Sequence, residues 1–407
     1  MDMKILNKFF LLLTVIGGFI SCNGDEQFDP DKSYVLLTGT DVNSLATFQL
    51  DDTPSIHYVT TSVTRKVSEN IVVEYGIDNA ALEAYNQQNK TSYYPIPEAS
   101  VKLLDVRDTI TAGKAASSGI RVQVVSTENW VDGRSYVIPV SIQHVSNDKL
   151  EILESAKTVF LKVSRKLNHS SLDISNSNLY SEYWFEESKE NFTPIDLPQY
   201  TCEIKVFLTE DRPNRIRRLC NWGGEGGQNM LRFGEAGMDR NQLQWVSPGG
   251  SVPSKALFAP NRWYTVSLTF DGSKYVMYVD GVKDSEVIGS SSGFKFSKFE
   301  IGMSWAGYTT QQRTSGRIAE VKLWNKALVA SEIQMGMCGV DPQTPGLVAY
   351  WKMNEDSGHV FHDATGNGYD MDWSDTWRSP TESDIYQQYD KSSFVNWVKD
   401  ENNACYQ

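Results

Sequence analysis

The sequence predicts an all-β protein built as two consecutive sandwich units behind an export signal. Three observations carry that prediction. From Ser33 onward, runs of strand length rich in β-branched and aromatic residues recur at regular spacing with turn residues between them. Between Asn261 and Val282 two alternating strands flank an Asp271-Gly272 turn, and Asp280-Gly281 closes the second strand. The chain of 407 residues is too long for one ordinary domain and fits two or three. Hydrophobic residues at 40% supply packed cores, and charged residues at 22% argue against wholesale disorder. The net charge of −13 argues against a nucleic-acid partner, which would need Lys and Arg in excess on one face.

The first segment sets the compartment. Lys4 and Lys8 precede an almost wholly apolar run from Phe9 to Ile20, which has the length of a signal-peptide core and not of a membrane span. Ser21-Cys22 closes it, and this ending resembles a bacterial lipobox. The resemblance implies a signal peptide over 1–21 and lipidation of Cys22 as the mature N-terminus. The mature chain then carries 36 basic against 50 acidic residues, a charge of −14. Asn23-Gly24-Asp25-Glu26 follows and resembles the export signal of Bacteroidota surface lipoproteins. It implies a chain lipid-anchored to the outer membrane and facing the cell exterior, since buried acyl chains contribute about 0.8 kcal/mol per CH₂. Residues 22–32 are polar and read as a tether.

In the first unit the strand-like runs are SYVLLT, ATFQLD, SIHYVTTSVTR, NIVVEYGID, GIRVQVV, SYVIPVSIQ and KTVFLKVS. One helix interrupts them at Asn79–Asn89, with Asp78 as N-cap and Leu82 and Tyr85 on one face. The words VEYGIDNAALEAYNQQNKTSYYPIPEAS, ITAGKAASSGIRVQV, GRSYVIPVSI and ESAKTVFLKV together resemble an N-terminal domain of unknown function in Bacteroidota surface lipoproteins of glycan-utilisation loci. That resemblance implies an immunoglobulin-like β-sandwich over 33–165, serving as a spacer. Residues 166–178 are Ser/Asn-rich and read as a linker.

The second unit spans 179–385. After the hairpin at 261–282 come FEIGMSWAG, GRIAEVKLWNKALVASEI, GLVAYWKMNEDSG and HDATGNGYDM. Their order resembles the laminin G-like, concanavalin A-like jelly roll. The family often holds a structural Ca²⁺ on the last of these loops, which implies Asp363 and Asn367 as metal ligands with a backbone oxygen near Thr365. The alternative is an Asx-capped turn without metal. Residues 386–407 depart from the pattern, and SSFVNWVKDENNACYQ reads as a tail with a short helix packed back on the sandwich.

Four cysteines remain after Cys22, an even number that allows three pairings. Cys202 and Cys220 lie on runs that could face each other in a hairpin; Cys338 and Cys405 could tie down the tail; four buried free thiols are the alternative. No Cys-x-x-Cys pair suggests a zinc ribbon, and His359 and His362, three apart on a strand, would point to opposite faces.

Catalysis finds little support in the sequence. Glycosidases of this general fold place alternating acids on one strand, and no E-x-D-x-E word is present. Glu300 and Glu320 fall on different predicted strands, and Glu186 and Glu187 are adjacent. No G-x-S-x-G, P-loop or H-E-x-x-H occurs. The aromatics point elsewhere. Trp263, Trp324 and Trp351 read as core. Trp222, Trp245, Trp305, Tyr308, Trp373 and Trp377 fall among Gly, Ser and Asn and read as exposed rings able to stack on sugars. Asn221, Gln228, Asn229, Gln244, Gln311 and Arg313 stand ready for hydroxyls.

The expected function is therefore non-catalytic capture of oligo- or polysaccharide at the cell surface, beside the outer-membrane transport and hydrolase proteins of the same system. A protein-interaction or adhesion module, and then a glycoside hydrolase, are the alternatives.

Overall fold

The computed structural model describes residues 32–50, 53–131, 133–167, 170–210, 215–302, 312–378, 387–399 and 405–406, without the side chains of 165–167, 378, 405 and 406. The signal segment, Cys22 and the tether up to Asp31 lie outside the described residues. No described helix is long and apolar enough to cross a membrane.

The first unit is a β-sandwich. One sheet runs in the order Leu45–Leu50, Thr158–Leu167, Tyr136–Val145, Ile71–Ile77 and Arg107–Ile110. Two three-stranded sheets face it, Leu150–Ile152 with Ser33–Leu37 and Thr61–Val63, and Ser55–Val59 with Ile120–Val124 and Val101–Leu103. Alternation puts Val73, Ile120, Val122, Ile138, Val140 and Leu161 into one core. The run SIHYVTTSVTR is two strands: Val59 pairs with Ile120 and Thr61 with Leu37, so the chain changes sheets at Thr60. The helix covers Asn79–Asn89, as expected. Asp78 accepts from the amide of Ala81 at 3.0 Å, and Lys90 ends the helix in the left-handed region at φ 54°. Leu82 buries against Val137 and Phe160.

The second unit packs two eight-stranded sheets face to face. One runs Val282–Ile288, Lys274–Val279, Trp263–Phe270, Tyr200–Leu208, Gly316–Trp324, Ser170–Asp173, Trp397–Lys399, with Leu347–Trp351 also pairing on Gly316–Trp324. The other runs Gly250–Leu257, Gln242–Ser247, Gly227–Phe233, Arg217–Gly224, Lys298–Ile301, Ser181–Trp184, Thr376–Arg378, Gln387–Tyr389. The core between them includes Phe185, Tyr200, Trp222, Trp245, Phe299, Trp351 and Trp373. The turn at Asp280 and Gly281 has φ 51° and 75°, both positive as a two-residue hairpin of this twist requires.

Two segments differ from the sequence reading. Residues 166–178 are not a free linker. Thr158–Leu167 ends within them, and Ser170–Asp173 already pairs with Gly316–Trp324, because Leu172 and Ile174 are fully buried in the second core. The tail forms no α-helix among its described residues. After a short 3₁₀ turn at Ser392–Phe394, Trp397–Lys399 adds to the edge at Ser170–Asp173, and Cys405–Tyr406 pairs with Lys166–Leu167 of the first unit's strand. The two units also meet where Arg134 Nε approaches Asp341 Oδ2 at 2.6 Å and Gly133 lies against the backbone of Val340.

Candidate functional site

Strand alternation builds the site. Along Lys298–Ile301, Phe299 and Ile301 enter the core, so Lys298 and Glu300 face the other side of their sheet. The same rule turns Glu182 and Trp184 outward beside Tyr183, Asn221 outward between Cys220 and Trp222, and Met230 and Arg232 outward beside Leu231. Register then lines these residues up across the sheet. One row reads Val246, Met230, Asn221, Glu300, Glu182, Trp377. A second reads Gln228, Gly223, Lys298, Trp184. A third reads Arg218, Arg232, Gln244. Gly223 has a structural reason here: a Cβ on it would meet Lys298 Cε at 3.1 Å and Gln228 Cγ at 3.3 Å, so the glycine gives both long side chains their room.

Glu182 and Glu300 are direct cross-strand neighbours, a position that brings Cβ atoms to about 4.5–5.5 Å. Lys298 serves both carboxylates. Its Nζ pairs with Glu300 Oε1 and lies 3.4 Å from Glu182 Oε2. Trp184 Nε1 donates to Glu182 at 2.6 Å, and its ring lies 4.7 Å from the Lys298 ammonium. Asn221 Nδ2 donates to Glu300 Oε2 at 2.9 Å and to Gln228 Oε1 at 2.5 Å. Glu182, Lys298, Glu300 and Asn221 are all buried, whereas Trp184, Trp377, Gln228, Arg232 and Gln244 are half-buried. Burial, and then the negative charge of Glu300, push the Glu182 carboxyl up to about 7, against the opposing pull of Lys298. The floor of the face is thus one ammonium between two carboxylates, one of which holds its proton near neutral pH. Asn221 Oδ1 and Trp377 Nε1 are sealed from solvent, without hydrogen-bond partners among the described residues.

Most of the residues named from sequence sit elsewhere. Trp222, Trp245 and Trp373 are fully buried between the sheets and not exposed. Trp222 meets Phe299 edge-on at 5.6 Å, and Trp373 stacks on Phe361 at 5.0 Å and donates to Leu179 O at 3.0 Å. Asn229 is buried with them, accepting from Tyr200 Oη and Trp245 Nε1. Arg313 holds the backbone of Ser175 at 3.0 Å. Trp305, Tyr308 and Gln311 lie outside the described residues. Of the expected platform, Trp377 alone among the described aromatics is on this face and half-buried. Among the expected polar partners, Asn221, Gln228 and Gln244 do belong to the face. Trp184, Glu182, Lys298 and Arg218 went unread; the alternation in Ser181–Trp184 was the one local signal for the first two. Trp263 is half-buried rather than core, while Trp324 and Trp351 are core.

The loop at Asp363 does not fit a calcium cage. Both of its carboxylate oxygens already face donors: the amides of Tyr350 at 3.0 Å, Thr365 at 3.1 Å and Tyr369 at 3.2 Å, and the Thr365 hydroxyl at 2.7 Å. Asn367 turns its amide nitrogen to Val348 O at 2.9 Å. A hard cation needs six to eight oxygens in that space, and the turn supplies N–H groups instead. No group of three His, Cys, Asp or Glu suited to a metal occurs among the described residues.

Cys202 and Cys220 are free and fully buried, which overturns a hairpin disulfide between them. They lie in opposite sheets, Cys202 between Leu268 and Leu323, Cys220 between Leu231 and Ile301. Burial pushes both thiols well above their ordinary range. Cys338 is disulfide-bonded, and the side chain of Cys405 lies outside the described residues.

Comparison with known proteins agrees with the two-unit architecture. Residues 199–334 match a family model described as the concanavalin A-like lectin/glucanases superfamily. Residues 23–149 match a model described as an N-terminal domain. A crystal structure from Bacteroides ovatus, provisionally named a carbohydrate binding protein, is similar at 23% identity and a TM-score of 0.60, over 82% of this chain and 94% of that one. That likeness concerns the fold. Weaker likenesses include a heptameric SAP-like pentraxin from Limulus polyphemus (TM-score 0.34, 13% identity, 49% of this chain and 93% of that one). They also include domain 4 of an extracellular arabinanase from Geobacillus stearothermophilus in complex with arabinotriose (TM-score 0.27, 17% identity, 34% of this chain and 66% of that one). No curated protein sequence matched the chain.

Proposed function

We propose that this chain, an N-terminal domain followed by a concanavalin A-like domain, is a non-catalytic glycan-binding lipoprotein of the cell surface. The observation that carries the reading is the face bearing Glu182 and Glu300. Two half-buried tryptophans, Trp184 and Trp377, flank a built polar floor, and Gln228, Gln244 and Arg232 rim it. An apolar platform with a few placed polar groups is the usual make-up of a ligand site.

A hydrolase is the second reading, favoured by the carboxylate pair itself. Two neighbouring carboxyl groups, one of them pushed up to about 7 by burial, are a pairing that acid–base chemistry uses. The burial of Glu300 and the shared Lys298 support binding instead: a glycosidase needs both carboxylates to reach the scissile bond from opposite sides.

The test is a calorimetric glycan screen of residues 23–407, with calcium and with EDTA. Trp184→Ala and Trp377→Ala are expected to weaken the bound glycan by about tenfold or more each, as buried aromatic anchors do. EDTA is expected to change neither affinity nor melting temperature. Time-dependent product release would move the hydrolase to first place, and an affinity untouched by both substitutions would remove this face as the site.

The setting is part of the same proposal. A lipid on Cys22 would hold the chain at the outer membrane near transport and hydrolase partners, where tethering raises the effective concentration of captured glycan. Cys22→Ala is expected to move the protein from the membrane fraction to the soluble fraction; unchanged fractionation would argue against the anchor.

A further inference from the structure

The arginine at the other end of the same face says what kind of glycan it suits. Arg218 is 6% exposed on the strand Arg217–Gly224. Its Nε donates to the amide oxygen of Gln312, and its Nη1 reaches Met230 Sδ at 3.8 Å. Both partners are neutral. Among the described residues no carboxylate lies within ion-pair distance of Arg218. Its cross-strand neighbour is a second cation, Arg232, whose own charge is taken by Glu235 at 2.6 Å. Arg232 also spends its Nε on Gln244 at 2.7 Å. Burial, followed by the charge of Arg232, makes the Arg218 guanidinium a weaker base than usual, against the longer-range pull of Glu235 and Glu300.

A guanidinium has five donors in a fixed fork, and Arg218 uses two of them. Burying such a charge with no carboxylate in direct contact is unfavourable, and sequences seldom keep that arrangement without an anion to fill it. None of its nitrogens is both sealed from solvent and unpartnered, so the unused donors open toward accessible space. The fork matches a carboxylate or sulfate bidentately, which an ammonium would not do as well.

We propose that the glycan is acidic, with Arg218 reading a uronate carboxylate or a sulfate group. The sugar chain then runs along the rows toward Trp184 and Trp377. This rests on the glycan-binding reading and narrows it.

The experiment is calorimetry on residues 23–407 with polygalacturonate, hyaluronan and chondroitin sulfate, against neutral mannan, xylan and carboxyl-reduced polygalacturonate. An acidic glycan is expected to bind with an affinity that falls as salt rises. Arg218→Gln is expected to weaken it about ten- to a hundredfold and to weaken any neutral glycan less. Arg218→Lys should recover part of the loss. Because glutamine removes a buried charge with no carboxylate in direct contact among the described residues, the variant should fold at least as stably. Independently, free galacturonate or inorganic sulfate should raise the melting temperature of the wild type and not of Arg218→Gln. Neutral glycans binding as tightly as acidic ones, or an Arg218→Gln affinity equal to wild type, would overturn the acidic assignment alone. Absence of binding to every glycan would overturn the glycan reading together with it.

Discussion

Trp245→Ala is expected to lower the unfolding free energy by about 3–5 kcal/mol, the range for deleting a buried tryptophan, and to leave the glycan affinity of the folded fraction intact. The side chain is fully buried between the sheets. Its ring meets Tyr275 edge-on at 5.3 Å and Tyr200 at 6.3 Å. Its Nε1 donates to Asn229 Oδ1 at 2.9 Å, an oxygen that also accepts from Tyr200 Oη at 2.8 Å. The substitution therefore removes packing and one of two donors to a buried amide. Denaturant titration followed by circular dichroism reads the stability, and calorimetry at low temperature reads the affinity. A variant with unchanged stability and lost binding would show that Trp245 faces the ligand after all. The contrast with Trp377→Ala is the useful one, because that residue is half-buried on the outer face and should show the opposite split.

The two tryptophans carry similar sequence surroundings, and this shows where the sequence is legible. Period-2 alternation made the strands and the all-β class readable, and the Asp-Gly pairs made the hairpin readable, because both signals are local. The glycines around Trp222 misled for a physical reason. Gly223 and Gly224 look like loop residues, yet they continue a strand and face Gln228 and Gly227 across it, where Gly223 yields space to Lys298. Burial of a strand residue depends on which face looks inward, and a single break of register reverses it. The carboxylate pair was illegible for a different reason. Glu182 and Glu300 are brought together only because Ser181–Trp184 lies beside Lys298–Ile301 in a sheet whose order does not follow the chain. The Asp363 loop reads alike as a cation site and as an Asx turn; only the direction of the Tyr350, Thr365 and Tyr369 amides separates them.

Glu182→Gln is expected to change how stability depends on pH more than any other single substitution on the site. The folded carboxyl titrates near pH 7, against 4.5 for an unperturbed glutamate. Between those values the folded chain holds a proton that the unfolded chain has lost, so the unfolded state binds fewer protons and stability falls as pH rises. The contribution is fully present below about pH 4.5 and is gone above about pH 7. A shift of this size corresponds to about 2–3 kcal/mol, allowing for the coupling to Glu300. Glutamine keeps the shape and can still accept from Trp184 Nε1 and Lys298, but it has no proton to lose. Denaturant titrations of both proteins across this pH window should give a difference curve that rises in favour of the glutamine variant by about 2–3 kcal/mol and then flattens. A flat curve, or one in which the variant loses ground as pH rises, would mean that Glu182 is ionised throughout and that its attraction to Lys298 outweighs burial. The outcome bears on the ligand as well. Ionisation of Glu182 turns the floor from one net balanced pair, Lys298 with Glu300, into a net negative one. An acidic glycan should therefore be held better on the acid side of this window, with the cation that draws it, Arg218, already in place at the far end of the face.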